Sequence, residues 1–575
     1  MNGRSPIFTF FLFAFLIVLI VLQFLSMMQS DRLYERLNDV VRVVERSGVR
    51  GTSGQTATGS GERYPGDEGD WLVRCLSTEA STLYAILESA SWSSRWIVSD
   101  NIFESMIRYK PDAFEYEGHL AEEFSISEDG LEIYFKLRDD IHFSDGVPIT
   151  TDDVIFTFET ITNPEVDCHS YANYFRDVER YEKINSREIK FYMKRVYFQS
   201  LGYLGGIAIH PKHIYEFEDP KEFNALRTNP IGSGPYVFEK WDVGSKVVLN
   251  RNENYWGKKP NIKKRVFKFI TNDIAALQSL ESGEVDYLRP LPDQFAEKSK
   301  DEQFTKRFHC LSYWAASNTG YFWIGWNQKL PFFADKKVRQ AMTHMIDREG
   351  IRDHILRSPE AQIPTGPFYI FGPQSNKDIK PWPYDPDRAA DLLDEAGWVD
   401  TNGDGIRDKD GVNFSFKYMI VAGTPLHQKV VKLVKDSAAR VGIEVVPDPF
   451  EWSIFSQRVQ DGKFDAVNMA WGGSVESDPY QIWHSSQIDK GSNYVGFNVP
   501  EADRLIEKAR MTLDKDKRNA LYHKFHSIIH DEQPYTFVYT RPEQGFLEKR
   551  FENVIIHKLG VDEFEWYVPR EKQRY

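Results

Sequence analysis

At 575 residues the chain is too long for one ordinary hydrophobic core, so its length asks for two or more compact units. With 41% hydrophobic and 14% aromatic residues there is ample material to bury, and a formal net charge of -14 excludes the clustered positive potential that a nucleic-acid partner requires. Three cysteines, Cys75, Cys168 and Cys310, contain no CxxC pair, which excludes a disulfide framework and a cysteine zinc site but leaves room for one disulfide.

From Pro6 to Met28 the chain reads PIFTFFLFAFLIVLIVLQFLSMM, long enough to cross a hydrocarbon core of about 30 Å. No small-x-small cleavage site follows it, so residues 6–28 are predicted to be an uncleaved transmembrane signal-anchor. Leu33, Leu37, Val40 and Val44 give a short amphipathic helix over 29–46. Residues 47–70, rich in Gly, Ser and Thr, read as a flexible linker. The sequence thus describes a body, starting at Trp71, tethered to a membrane.

Within the body, LEIYFKL (residues 131–137) alternates as a half-buried strand, and Asp145-Gly146 makes a turn. Thr150 or Thr151 caps a helix carrying Val154, Ile155 and Phe158. YVFEKWDVGSKVVLNRN (236–252) reads as a hairpin turning at Val243-Gly244. Val338, Met342, Met345 and Ile346 form an apolar helical stripe. A second helix, DRAADLLDEAGW, buries Leu392 and Leu393 and stops at Gly397. DTNGDGIRDKDG (400–411) follows it. Asp400, Asn402, Asp404, Asp408 and the Ile406 carbonyl offer oxygens at alternate positions, but the twelfth place is Gly411 and a strand follows. The stretch reads as a helix-to-strand connection, with a weak structural calcium site as the second reading; no cofactor is required. His523, His526 and His530 share one helix face, yet i to i+7 spans about 10 Å, too far to share one ion, which leaves a membrane-anchored metallohydrolase as the minor alternative. HExxH, P-loop and GxGxxG motifs do not occur, so the chain is not read as an enzyme.

Six collinear blocks carry a resemblance: LAEEFSISEDGLEIYFKLRDDIHFSDGVPITTDDVIFTFE, NPIGSGPYVFEKWDVGSKVVLNRNENYWGKKPNI, ALQSLESGEVDYL, WIGWNQKLPFFADKKVRQAMTHMIDREGI, YDPDRAADLLDEAGW and AWGGSVESDPYQIWHSSQ. Together they resemble the family 5 extracellular solute-binding proteins, the peptide- and nickel-type receptors of ABC importers. The resemblance implies an α/β, two-lobed periplasmic-binding-protein fold (type II, cluster C-like) with an extra subdomain. Lobe I would comprise 71–100, 205–325 and 541–575, the subdomain 101–204, and lobe II 326–540, with crossings near 323–328 and 539–544. It implies a monomeric body on the extracytoplasmic face of the inner membrane, peptide enclosed by hinge closure, and permease subunits of an ABC transporter as partners. Alternatives are a nickel chelate, an oligosaccharide, or a role as a ligand-presenting receptor.

Peptide would pair as an added strand with two edges. One is residues 93–96 (Ser93, Ser94, Arg95, Trp96); the other is Trp471, Gly472, Gly473 and Ser474. Relatives hold the peptide's α-ammonium with an aspartate shortly after the corresponding tryptophan; here Glu476 or Asp478 would replace it, or Asp478 caps a helix instead. Trp92, Trp96, Tyr313, Trp314, Trp323 and Trp471 would line the cleft or belong to the core.

Overall fold

The computed structural model describes residues 68–316 and 319–575; the expected anchor at 6–28 and amphipathic helix at 29–46 lie outside them. Among the described residues no helix is long and apolar enough to cross a membrane. Of the expected linker at 47–70, residues 47–67 also lie outside the described residues, and 68–70 are joined to the body. Gly69 N–H donates to the Asn261 carbonyl at 3.1 Å, and buried Asp70 pairs with Arg550, which also holds Asp286 at 2.8 Å.

The chain starts with the strand Trp71–Leu76 (β1) and the helix Trp92–Val98 (α1), then leaves to build a subdomain. That subdomain is a four-stranded antiparallel sheet of Ala121–Ile126 (β2), Glu132–Leu137 (β3), Val178–Lys183 (β4) and Glu188–Met193 (β5), in the order β2-β3-β5-β4. Its helix Thr151–Thr162 (α2) starts as expected: Thr150 and Asp153 bond each other's backbone N–H groups in a capping box. The chain returns as Tyr236–Asp242 (β6), Lys246–Arg251 (β7), Lys264–Phe269 (β8), Tyr287–Leu288 (β9) and Phe308–Tyr313 (β10). β6 and β7 are the expected hairpin, with Gly244 at φ 76° supplying the turn.

It then crosses to a second sheet of Tyr321–Trp326 (β11), Ser415–Val421 (β12), Glu444–Phe450 (β13), Ala466–Trp471 (β14) and Tyr535–Tyr539 (β15), and comes back as Glu543–Glu548 (β16). The first sheet has seven strands in the order β10-β16-β9-β1-β8-β7-β6, and the second has five, β13-β12-β14-β11-β15. Because β11 is a strand of the second sheet, the first crossing lies at 314–320. The expected crossing at 323–328 falls inside and just after that strand, and the expected lobe I limit of 325 runs into lobe II. The second crossing is 540–542.

Strand alternation decides what each face buries. Phe322, Ile324 and Trp326 of β11 enter one core of the second sheet, with the stripe Val338, Met342, Met345 and Ile346 and with Leu392 and Leu393. Tyr321 and Trp323 enter the core on the opposite face. Leu76, Val247, Leu249 and Phe267 of the first sheet share a core with Phe135 and Phe191 of the subdomain, so the subdomain is packed onto lobe I.

Candidate ligand-binding site

Parallel strands point their carboxyl ends the same way. In lobe I, β1 runs parallel to β8 and β9, and these strands end at Leu76, Phe269 and Leu288. In lobe II, β12 runs parallel to β13 and β14, which end at Val421, Phe450 and Trp471. Both crossings leave from this edge, since Tyr321 pairs with Trp471 and Tyr313 with Glu543. Open α/β sheets bind ligands outside the carboxyl ends of their strands, so the candidate site is bounded by these two edges.

On lobe I the edge is formed by Ser77 and Thr78, exposed beyond the end of β1. Residues 93–96, expected there as a strand, are helical and offer no ladder: Ser91 caps α1 by accepting from Ser94 N–H, with Ser94 answering in a capping box. Ser93 and Ser94 are buried. Ser93 Oγ donates to the Thr78 carbonyl at 2.7 Å and lies 2.8 Å from Thr78 Oγ1, so it positions the exposed edge from behind. Arg95 donates to the Ala90 carbonyl at 2.9 Å. The Arg74 guanidinium sits 3.6 Å over Trp96 and 4.3 Å over Tyr287. Trp92 meets Trp96 in a tilted pair at 5.1 Å and is 44% exposed, with the Arg289 guanidinium 5.2 Å over its ring. Arg289 also pairs with Glu543. Tyr313 is buried, its hydroxyl 3.4 Å from that of Tyr287. Beneath these rings Glu563 bridges Arg74 and Arg265; burial would raise its carboxyl, but the two guanidiniums hold it below the usual range.

On lobe II, β14 ends at Trp471 and the exposed backbone of Gly472 and Gly473 continues without a hydrogen bond among the described residues. A Cβ at Gly320 would run into the Trp471 carbonyl, and one at Gly473 into Thr319, so the crossing and the wall touch backbone to backbone. Trp471 is half-buried, 5.8 Å from the Trp323 ring, with Nε1 donating to the Tyr535 hydroxyl at 3.4 Å. Trp323 itself is 0% exposed and stacks on Tyr535 at 3.8 Å, a core residue and not a cleft lining. Trp314 meets the exposed Phe371 ring at 4.9 Å.

Ser474 Oγ donates to the Glu476 carbonyl. The Glu476 carboxylate takes Arg518 at 2.9 Å, and Asp478 takes Arg510 at 2.8 Å and the Tyr197 hydroxyl at 2.9 Å. Asp478 also accepts Tyr480 N–H at 3.1 Å at the start of the Tyr480–Trp483 helix. Gln199 donates to the Glu476 carbonyl at 2.7 Å. Tyr197 and Gln199 come from just beyond β5, so this segment is where the lobe I side meets lobe II. The sequence carried no signal for these four partners.

The histidines of the Lys515–Glu532 helix (α3) do not converge. His523 Nε2 donates to the Pro373 carbonyl at 2.9 Å, His526 bonds Thr365 Oγ1 at 3.0 Å and Asn376 N–H at 3.1 Å, and His530 stacks on Trp382 at 5.3 Å. In the 400–411 loop, Asp400 accepts Gly403 and Gly405 N–H at 2.7 and 2.9 Å, Asp404 accepts Ile406 N–H at 2.8 Å, and Asp408 accepts Thr401 N–H at 2.8 Å. Asn402 accepts Asp404 N–H at 2.8 Å. These oxygens serve the loop's own backbone, and among the described residues no group of three His, Cys, Asp or Glu side chains is placed to hold a metal. All three cysteines are free thiols; burial pushes Cys75 up to about 11 and Cys168 to about 12.

Two α/β lobes joined by two crossings, with strand ends facing a shared edge, define a periplasmic-binding-protein fold. Comparison narrows the class: Bacterial extracellular solute-binding proteins, family 5 Middle, match residues 115–493. The chain belongs to the family 5 solute-binding proteins of ABC importers. It is 32% identical over 503 residues to the oligopeptide-binding protein AppA of Bacillus subtilis, covering 86% of this chain and 90% of the relative. The structure of that AppA in complex with a nonapeptide has a TM-score of 0.74 at 28% identity, covering 88% of this chain and 100% of that one. The nickel-binding periplasmic protein of Escherichia coli is 25% identical over 521 residues, 82% of this chain and 96% of the relative. The family places the body on the extracytoplasmic side.

Proposed function

We propose that this protein captures oligopeptides between its two lobes, closes about the crossings at 314–320 and 540–542, and presents the bound peptide to an ABC importer. The observation that carries this reading is the main chain at the lobe II edge: the exposed backbone of Gly472 and Gly473 makes no hydrogen bond among the described residues, while exposed Ser77 and Thr78 lie at the carboxyl edge of lobe I, the Thr78 carbonyl already taken by Ser93. Such backbone binds an extended chain through its amides, which every peptide has, and side chains are then read loosely. The similarity to a protein that binds a nonapeptide supports the same ligand class. The apolar stretch at 6–28 would hold the body at the membrane surface, where its permease partner sits.

Mass spectrometry of ligand released from the full chain, purified from membranes in detergent, tests this. Mixed peptides are expected. Consistent recovery of a single metal chelate, haem or sugar would sink the peptide assignment and leave the family standing.

A further inference from the structure

We propose that His557 is a proton-operated pin at the hinge. As an imidazolium it ties a carboxy-terminal hairpin of lobe I to the subdomain loop that meets lobe II, and on losing its proton it loosens the first crossing. The pin goes beyond the peptide reading and acts on any ligand that the lobes enclose.

The strands Ile556–His557 and Gly560–Val561 form the hairpin. His557 sits between two carboxylates from distant parts of the chain: Nδ1 is 3.1 Å from Asp112 Oδ2, and Nε2 is 2.9 Å from Glu565 Oε2. A neutral imidazole has one N–H and one lone pair and can satisfy only one of them, whereas the imidazolium donates to both. The bonds to Glu565 and Asp112 accordingly hold its pKa above the usual 6.5. The other charged groups of the hairpin and its surroundings have partners of their own. Lys110 pairs with Glu115 at 3.0 Å and Arg108 with Glu117 at 2.9 Å, Glu563 is held by Arg74 and Arg265, and Asp562 accepts Phe564 N–H at 2.9 Å. Lys558 gives Asp112 its N–H at 3.0 Å but turns its ammonium onto the Phe114 ring at 4.0 Å.

The hairpin is bonded on two sides. Leu559 N–H donates to the Pro111 carbonyl at 2.9 Å, and Ala316 N–H, in the first crossing, donates to the Leu559 carbonyl at 2.9 Å. From the loop the contacts continue into lobe II: Lys515 of α3 donates to the Phe114 carbonyl at 3.3 Å, and the Phe114 ring meets Tyr369 at 6.3 Å. Tyr369 meets Phe371 at 5.7 Å, and Phe371 meets Trp314 at 4.9 Å, which leads back to the crossing. Hairpin, loop, lobe II and crossing thus form one closed circuit, and His557 is the link in it that changes charge near neutral pH. When the proton leaves, the bond given up is the one whose carboxylate returns to water most easily. Asp112 is 70% exposed and Glu565 34%, so the hairpin keeps Glu565 and lets go of the loop. Because the folded pKa is raised, the pin is complete below pH 6.5 and is undone as pH rises through the raised value.

Amide hydrogen exchange on the ligand-free full chain in detergent, read as protection factors at about pH 6 and about pH 9, tests the pin. Between the two, the amides of Lys558 and Leu559 and those of the crossings and their brace, Ala316, Thr540 and Gln362, are expected to lose protection by about threefold, the scale of one partly exposed charged bond. In His557→Gln, which keeps one bond at either pH, the same protection factors should not change with pH. Glu565→Gln retains the imidazole and should move the midpoint of the loss to lower pH, a second reading should His557→Gln fold badly. Loss confined to Lys558 and Leu559 would make His557 a local tie and overturn the proposal. So would protection that is constant in the unsubstituted chain, or a midpoint unmoved in Glu565→Gln. None of these results depends on a ligand, so the peptide reading stands or falls separately.

Discussion

The imidazole of His526 packs so tightly on Gly366 that a Cβ there would run into the ring, and both of its nitrogens are bonded, to Thr365 and to the amide of Asn376. Since Nδ1 accepts an amide proton, the ring is neutral with its own proton on Nε2. Burial pushes its pKa down from 6.5 to about 4. His210, buried with Nδ1 against the Ala208 carbonyl at 2.9 Å, is pushed down to about 4 for the same reason. The sign follows from linkage: between the two values the unfolded chain binds protons that the folded one refuses, so the stability these groups contribute is complete above pH 6.5 and lost as pH falls toward about 4. Each accounts for at most about 3 kcal/mol over that window. His526→Gln, which can keep both bonds without titrating, is expected to flatten the fall of Tm with pH in this window. Melting curves of the two proteins that stay parallel from pH 6.5 downward would show that protonation of His526 is not part of the acid instability.

At the scale of elements, what the sequence disclosed depended on where each element's partners lie. The alternation of β3, the cap of α2 and the Gly244 hairpin are local patterns, and local physics suffices to read them. Residues 93–96 are a helix and not a strand. Ser91 and Ser94 spell a capping box three residues apart, a local pattern that favours the helix. In β11, YFWIGW is buried on both faces, so nothing in the string says which ring faces the cleft and which the core; Trp323 is settled only by Tyr535 stacking on it. Tyr197 and Asp478 are 281 positions apart, and no spacing rule reaches that far. The 400–411 loop behaves as a self-bonded connection, with buried Asp408 holding Thr401 through both N–H and hydroxyl at 2.8 and 2.7 Å. Asp408→Ala should therefore cost about 1 kcal/mol by chemical denaturation, equally in calcium and in EDTA. A cost that appears only with calcium present would instead establish the loop as a metal site.

At the scale of the whole body, the two lobes are joined covalently at the crossings and non-covalently beyond β5. The crossings are cross-braced: Thr540 Oγ1 donates to the Gly320 carbonyl at 2.7 Å, and Thr540 exchanges backbone bonds of 2.9 Å with Gln362. Beyond β5, Phe198 leaves its own side of the cleft and enters the core of lobe II, meeting Tyr522 at 6.1 Å under the Arg518 guanidinium at 4.4 Å, while its N–H donates to the Arg510 carbonyl at 3.0 Å. Arg510 and Arg518 are the same arginines that neutralise Asp478 and Glu476, so the latch and the ligand wall are built from one set of residues. If ligand is enclosed by closure, apparent affinity scales with the closed fraction, and a contact made only on closure sets that fraction. Burying a phenylalanine side chain stabilises by roughly 1.5–3 kcal/mol, so Phe198→Ala should weaken peptide binding by roughly tenfold or more. The loss should appear as faster release, since Ser77, Thr78, Gly472 and Gly473, which first meet the peptide, are left in place. Ligand-free Tm should fall by less than the affinity does, because Phe198 enters the lobe II core from outside that lobe and the rest of the core stays in place. Calorimetry, stopped-flow release and melting together separate the alternatives: a lowered Tm with unchanged affinity would make Phe198 an ordinary packing residue, and closure would then rest on the Tyr197–Asp478 and Gln199–Glu476 bonds of 2.9 and 2.7 Å and on the exposed pairs Arg357–Glu297 and Lys429–Asp293, at 2.9 and 3.2 Å. Exposed pairs of that kind are each worth well under about 1 kcal/mol, too little to hold two lobes together, which is why the buried ring is expected to govern release.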